Sequence, residues 1–227
     1  MRAFLLIFSA LFLLATKAYP QISESLSKQV SVALETRQWR DAIELFSLLV
    51  EKDVEEAEIV YWIEVDKSSA SSSEMVWRMA THHHASHNYE KAYLFYKQLA
   101  VKHPDSIRYL GYQAEMELLV GKEWDALRTY ERIILLDPDH LVANIYAGNY
   151  HYLRAERLRE DIERQFGRIE NPNRMQQARY RDDLEALYKN NYAKAKLHLQ
   201  NVVKQFSSVG AKELLKQIEE LEKEIYS

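Results

Sequence analysis

Two stretches of this chain repeat one another at a fixed offset of 34 residues, and this recurrence constrains the fold more than any other feature. The offset joins pairs of identical small, aromatic and proline residues: Ala92 and Ala126, Tyr96 and Tyr130, Pro104 and Pro138. A small–aromatic–proline signature at this period is typical of arrays of helical hairpins. One hairpin cannot bury its apolar face alone, so neighbouring hairpins stack and present an extended binding surface.

Composition agrees with a nearly all-helical chain. The 227 residues include only 5 glycines and 4 prolines, and 47% are hydrophobic, as in globular proteins. We see no run that alternates between apolar and polar residues as strands do. The formal net charge of −4 gives no reason to expect a nucleic-acid partner. The sequence therefore predicts an all-α fold of antiparallel helix pairs stacked into a right-handed superhelix.

The two matching stretches predict the two clearest hairpins, at residues 73–106 and 107–140. In the first, Ser71 is expected to cap a helix, with Glu74 completing a capping box three residues later. The turn is expected at His87 and Asn88 in the first hairpin and at Gly121 in the second. The closing prolines end both second helices, because proline cannot continue a helix.

These residues resemble the tetratricopeptide repeat family. The resemblance rests on the 34-residue period, the late aromatic, the closing proline, and small residues in both helices of each pair: Ala80 and Ala114, Ala92 and Ala126. It implies a helical-hairpin solenoid that binds a protein or peptide on its concave face, with no cofactor. The family lines that face with the first helix of each pair.

A third hairpin, residues 141–207, carries an insertion. The alanine expected at position 160 is Glu160, and the second-helix signature returns 35 residues later at Ala195, within a stretch, residues 190–195, that echoes residues 87–92. The inserted residues 154–189 are rich in charge, and opposite charges stand four apart, as in Arg159 and Glu163, which favours solvated helix. We therefore predict that the third hairpin is lengthened and projects from the array.

The remaining segments flank this array. Residues 22–67 predict divergent N-terminal helices, whose pairing stays open because either Ala42 or Ala57 could be the repeat equivalent of Ala92. Residues 210–226 carry a spaced apolar seam on a charged helix, which fits the terminal capping helix that such arrays need. Residues 19–227 are thus predicted to form a single helical-repeat domain.

The first 18 residues read as a secretory signal. Arg2 precedes an apolar run of 13 residues, Ala3 to Ala15, which is too short for a comfortable bilayer crossing. We expect cleavage after about Ala18, export, and a periplasmic protein with no membrane span after cleavage. The alternative is an uncleaved segment that anchors a membrane-bound assembly factor. The chain has no cysteine, which excludes disulfides and a lipoprotein anchor.

Four histidines suggest a second function, binding of a metal ion in the envelope. The cluster is His82, His83, His84 and His87. On one helix His83 and His87 would share a face at metal-ligand spacing. Consecutive histidines point in different directions, and no glutamate completes an H-E-x-x-H pattern. A polar helix end is the simpler interpretation, so the sequence predicts no dedicated metal site.

The binding surface implied by the resemblance is the concave face of the first helices. It maps to Trp77 and to nine further residues: Arg78, Thr81, His84, Arg108, Tyr112, Glu115, Tyr146, Asn149 and Tyr152. The alternative is that Trp77, Tyr146 and Tyr152 lie partly in the core between helices. Aromatic and arginine side chains suit a peptide groove, because they provide contact area and bidentate hydrogen bonds. No nucleophile motif or glycine-rich phosphate loop is present, so no catalytic residue is predicted. We expect a non-enzymatic scaffold that binds an envelope protein or peptide.

Overall fold

The computed structural model describes residues 26–226, and every regular element in that range is helical. The signal sequence predicted for residues 1–18 lies outside the described residues. The helices, in chain order, are α1 (26–35), α2 (Trp39–Lys52), α3 (Val54–Glu64), α4 (Ala70–Ala85), α5 (Tyr89–Lys102), α6 (Ile107–Leu119), α7 (Glu123–Leu136), α8 (Leu141–Gly167), α9 (Arg174–Leu187), α10 (Ala193–Gln205) and α11 (Val209–Tyr226). The prediction of an all-α fold of helical hairpins is confirmed.

The described residues divide into two compact units, 26–120 and 121–226. The division falls at the predicted Gly121 turn, where a positive φ of 75° suits a residue without a side chain. Helices α1 to α6 belong to the first unit, and α7 to α11 belong to the second. The single domain predicted for residues 19–227 stays a prediction.

The core of the first unit forms where α2, α4 and α5 pack together. Its largest fully buried side chains include Phe46, Tyr61, Met75 and Tyr96. Helix α2 packs against both α3 and α4. The small residues Ala80 and Ala92 are fully buried, as close packing of the first hairpin requires.

Local caps set the ends of the first hairpin. The capping box predicted at Ser71 and Glu74 is wrong, because α4 begins earlier and the hydroxyl of Ser69 accepts the N–H of Ser72. The predicted turn is confirmed: His87 has a φ of 60°, and the side chain of Asn88 accepts the N–H of Lys91. Helix α5 then ends at Lys102, before Pro104, as expected.

The core of the second unit lies where α8 packs against α7 and α10, with α11 on α10. Gly148 of α8 is close to α10, because a Cβ atom at this position would lie 3.1 Å from the side chain of Leu199. Helix α11 buries Ile218 and Leu221, which fits the predicted capping helix. It begins at Val209, one residue before the predicted start.

The third hairpin is lengthened as predicted. Helix α8 runs for 27 residues, and α9 packs against it. A π-helical turn, Tyr188–Tyr192, then joins α9 to α10 without a loop. The aromatic rings of Phe166 and Tyr180 stack with centroids 4.2 Å apart, which fastens α8 to α9.

Among the helices of residues 26–226, none combines the length and the apolar composition needed to cross a membrane.

Candidate functional site

An arginine–aromatic cluster lies on the first unit where α4 and α6 come together. The guanidinium of Arg108 lies 4.0 Å from the ring centroid of Trp77, and the ring of Tyr112 meets the same indole edge-on at 5.1 Å. A guanidinium over an indole face is a favourable cation–π contact. Arg108 is exposed while Trp77 and Tyr112 are half-buried. The positive charge of Arg108 therefore lies at the surface, in contact with the Trp77 ring beneath it.

Tyr96 of α5 forms the floor of this cluster. Its ring stacks on that of Tyr112 with centroids 4.9 Å apart and an interplanar angle of 12°. The side chain is fully buried, and its hydroxyl has no hydrogen-bond partner among the described residues. Burial raises the pKa of Tyr96 well above its usual value, and the nearby Tyr112 and Glu115 add to this. The phenol therefore stays neutral.

The polar residues predicted for this surface surround the cluster. The imidazole Nε2 of His84 lies 4.0 Å from a carboxylate oxygen of Glu115. Arg78 pairs with Glu74 on its own helix at 2.8 Å, and half of its side chain remains exposed. The hydroxyl of Thr81 donates to the backbone of its own helix, 2.9 Å from the Trp77 carbonyl. The structure thus brings Arg108, His84 and Glu115 together around the stacked rings of Tyr96 and Tyr112.

In the second unit, Tyr146 belongs to a separate aromatic group. Its ring lies 4.8 Å from that of Tyr130, and its hydroxyl donates to the Glu123 carbonyl at 3.0 Å. The ring of Tyr150 lies 6.4 Å from the exposed indole of Trp124. The Arg154 guanidinium lies 5.8 Å from the same indole, so an arginine again accompanies a surface tryptophan.

Tyr152 has a different neighbourhood from Tyr146. Its hydroxyl donates to Oε1 of Gln217 in α11 at 2.6 Å, and its ring meets that of Tyr192 edge-on. Burial raises the pKa of Tyr152, and the nearby Glu156 carboxylate acts in the same direction. Tyr152 therefore contacts the terminal helix, whereas Asn149 is half-buried on the face of α8 that carries Tyr146.

The sequence interpretation missed the apolar residues beside Tyr146 and Asn149. Val142, Ile145 and Leu153 are exposed by 55%, 37% and 54%. Their spacing places them on one face of α8 with the two predicted residues. This spacing was a readable signal in the sequence, although only the structure shows that the face is left open within this unit.

The histidine cluster does not form a shared ligand set. Nε2 of His83 lies 2.7 Å from a carboxylate oxygen of Glu58, and the ring is buried against Phe95. Helix α4 ends at Ala85, so His87 lies beyond it and the two histidines do not share a helix face. Within residues 26–226, no group of three or more His, Cys, Asp or Glu side chains is arranged to hold a metal ion.

Known proteins were compared with this chain by sequence and by structure. No protein-family model matches this chain. No curated protein sequence matches it either. A solved crystal structure of a protein from Bacteroides ovatus ATCC 8483 matches 89% of this chain and 98% of its own, with a TM-score of 0.71 and 39% sequence identity. That protein has been given the provisional description of a protein binding protein.

Proposed function

This chain belongs to the same family as the Bacteroides ovatus protein, and we propose that it is a non-enzymatic scaffold that binds a protein or peptide. The observation that carries the proposal is the contact of the Arg108 guanidinium with Trp77, beside Tyr112. Tryptophan, tyrosine and arginine are the residues that most often dominate binding energy at protein interfaces. The 34-residue signature further supports a tetratricopeptide-like array as the scaffold.

The cluster suits a partner segment that combines an apolar side chain with a carboxylate. The guanidinium of Arg108 lies over the indole ring, and this contact limits its freedom before a partner arrives and so lowers the entropy lost on binding. Its N–H donors can bind a carboxylate in two-pronged fashion. Tyr112 and Trp77 offer apolar area beside it. In the second unit, Tyr146, Asn149 and the apolar face of α8 offer contact area of the same kind.

We place this binding in the cell envelope, most simply the periplasm, because the chain begins with a short positive segment and a 13-residue apolar run. Sequencing the N-terminus of the protein purified from its own cells tests this part of the proposal. A new terminus near Tyr19 supports export with cleavage. Retention of Met1 in a membrane fraction would favour the anchored assembly factor instead.

The partner is best found by pull-down of the processed protein from its own envelope fraction, with mass spectrometry, followed by titration of the purified partner. We expect Arg108→Ala and Tyr112→Ala each to weaken binding by about 2 kcal/mol or more. Arg40→Ala is the matched control, because the Arg40 side chain is 89% exposed and pairs with Glu44 on its own helix. It should bind as the wild type does.

The same titration shows whether the partner binds at the proposed surface or at the histidines. If Arg108→Ala, Tyr112→Ala and Tyr146→Ala bind like the wild type while His82→Ala loses affinity, the proposed surface is wrong. His82 serves this purpose better than His83, because His83 is buried and its loss would disturb the core. Calorimetry with zinc on the same variants then decides whether the histidines bind a metal.

A further inference from the structure

Helix α3 carries apolar side chains outside its buried side. Ala57, Val60 and Tyr61 face the core. On the remaining surface Ile59, Trp62 and Ile63, called here the α3 patch, are exposed by 52%, 57% and 76%. Clustered exposed apolar residues mark interaction sites. Among residues 26–226, this face of α3 is therefore largely uncovered.

The α3 patch is held rigidly. Asp53 caps the start of the helix by accepting the N–H of Glu56 at 2.9 Å. At its end, Nζ of Lys67 donates to the Val65 carbonyl at 2.8 Å and lies 4.2 Å from the Tyr61 ring centroid. The Trp62 ring stacks with that of Phe95 at 6.5 Å. Both ends of the helix are therefore fastened, so the exposure of the patch does not come from fraying.

The charges of α3 indicate what would cover the patch. The helix contains four glutamates and no basic residue. Glu58 is already engaged by His83 and by Nζ of Lys91, 2.8 Å away. The others border the patch, with Glu55 and Glu56 at one end and Glu64 at the other. Nζ of Lys67 lies 5.4 Å from the Trp62 ring centroid, so one cation stands at the end of the patch. The three glutamates outnumber it, so the border carries net negative charge.

We propose that the α3 patch binds an amphipathic helix of another protein, with lysine or arginine residues flanking its apolar stripe. Ile59 and Ile63 are four residues apart and Trp62 lies between them, so the patch matches an apolar stripe at helical spacing. The basic flanks would meet Glu55, Glu56 and Glu64. This surface is distinct from the Arg108 cluster. The cluster suits a partner with a carboxylate, whereas the α3 patch favours a partner with basic residues.

The same charges disfavour two other occupants. Two copies of α3 packed antiparallel would bring Glu55 of one against Glu64 of the other, and packed parallel they would align identical acids. Like charges across an interface oppose association. A membrane surface rich in anionic lipid would also be repelled by the glutamates, since surface binding of helices normally depends on lysine and arginine.

The test uses the full chain and two labelled 18-residue helical peptides with the same leucine stripe, one with lysine and one with glutamate on its polar face. Fluorescence anisotropy should show the lysine peptide binding at least tenfold more tightly. Ile63→Ser should weaken its binding at least tenfold. Leu135→Ser, which alters an 82% exposed residue of α7, should leave it unchanged. Glu55→Lys combined with Glu56→Lys should reverse the preference between the peptides.

Several results would overturn the proposal. They are failure of the lysine peptide to bind, equal binding of both peptides, and binding that ignores Ile63→Ser. Sedimentation with vesicles of phosphatidylcholine and phosphatidylglycerol that depends on Ile63 would assign the patch to a membrane. A dimer lost in Ile63→Ser would assign it to self-association. None of these outcomes bears on the Arg108 cluster, which Arg108→Ala tests separately.

Discussion

Two buried side chains carry polar atoms that have no hydrogen-bond partner among the described residues: the Tyr96 hydroxyl and both ring nitrogens of His151. A polar group that is removed from water and left unpaired costs free energy of folding, on the order of 1–3 kcal/mol. Both residues are tightly held, since Tyr96 is fully buried and His151 is only 6% exposed. For each residue we can therefore predict whether a small chemical change raises or lowers the stability of the fold.

We expect Tyr96→Phe to leave stability unchanged or to raise it by up to about 1 kcal/mol, because it removes only an unpaired hydroxyl. Tyr61→Phe is the matched control, since the Tyr61 hydroxyl accepts a hydrogen bond from the side-chain amide of Gln98. That variant should lose about 1 kcal/mol. Thermal unfolding followed by circular dichroism measures both, and a larger loss for Tyr96→Phe would contradict the assignment.

His151 is surrounded by groups that disfavour its protonation. Burial lowers its pKa to about 4, and Lys194, His198 and Arg154 act in the same direction. The ring of His198 stacks on it at 6.1 Å, and burial lowers the pKa of His198 as well. The carboxylate of Glu131 lies 3.8 Å from Nε2, too far to accept a hydrogen bond.

This arrangement predicts a loss of stability in mild acid. Between the ordinary histidine pKa of 6.5 and the folded value of about 4, the unfolded chain binds the proton more readily. Stability should therefore be full above pH 6.5, fall as the pH drops toward 4, and lose roughly 3 kcal/mol at most from this group. Urea unfolding of the wild type and of His151→Gln across this range measures the difference.

The free energy of unfolding should depend less steeply on pH in His151→Gln than in the wild type. His198 remains in that variant, so some dependence on pH will persist. Identical slopes for the two proteins would show that His151 is not the group responsible.

At the scale of elements, the lengthened hairpin is the most separable part of the chain. No residue in 158–186 is buried, whereas Ala155, Leu187 and Tyr188 on either side belong to the core of the second unit. The ion pairs of the extension are local, as in Arg159 with Glu163 at 3.0 Å. Its helices therefore contribute to their own packing more than to the core.

We expect the rest of the chain to stay folded when residues 158–186 are replaced by a short linker. The reason is that the core on either side of the deletion keeps all of its buried members. Circular dichroism and thermal unfolding of the shortened protein provide the measurement. Loss of cooperative unfolding would show that the extension is part of the main core.

Two helical glycines predict opposite tolerance to a methyl group. A Cβ atom at Gly111 would meet nothing within 4 Å, so Gly111→Ala should stabilise α6 by about 0.5–1 kcal/mol. At Gly148 the Cβ atom would lie 3.1 Å from Leu199, so that side chain must shift. Gly148→Ala should therefore gain less than Gly111→Ala or lose stability. Equal gains in melting temperature would show that α8 and α10 are less closely packed than described.

At the scale of the whole molecule, each unit has its own apolar core. All buried members of the first unit's largest core cluster lie between Val30 and Met116, and those of the second lie between Ala155 and Leu221. We therefore expect a chain of residues 19–120 to fold by itself. Helical circular dichroism with a cooperative thermal transition would support this, whereas a disordered spectrum would show that the first unit needs the second.

The candidate surface was predicted from the family resemblance, and helical spacing groups its members, placing Tyr112 with Arg108 and Tyr146 with Asn149. The contact of Arg108 with Trp77 was not, because these residues lie on different helices, 31 positions apart in the chain. The pairing of His83 with Glu58 could not be predicted for the same reason, because the two residues are 25 positions apart. Histidine spacing on a helix could suggest a metal but could not reveal that one ring is buried.

The sequence by itself determined the all-α class, the turns at His87 and Gly121, the long third hairpin and the terminal helix. These follow from local rules, since period, proline and glycine act within a few residues. Only the tertiary structure decided that α2 packs against both α3 and α4, that one side of α3 stays exposed, and that Tyr152 contacts α11. Such outcomes depend on which distant faces bury each other, and an apolar residue alone does not specify its partner.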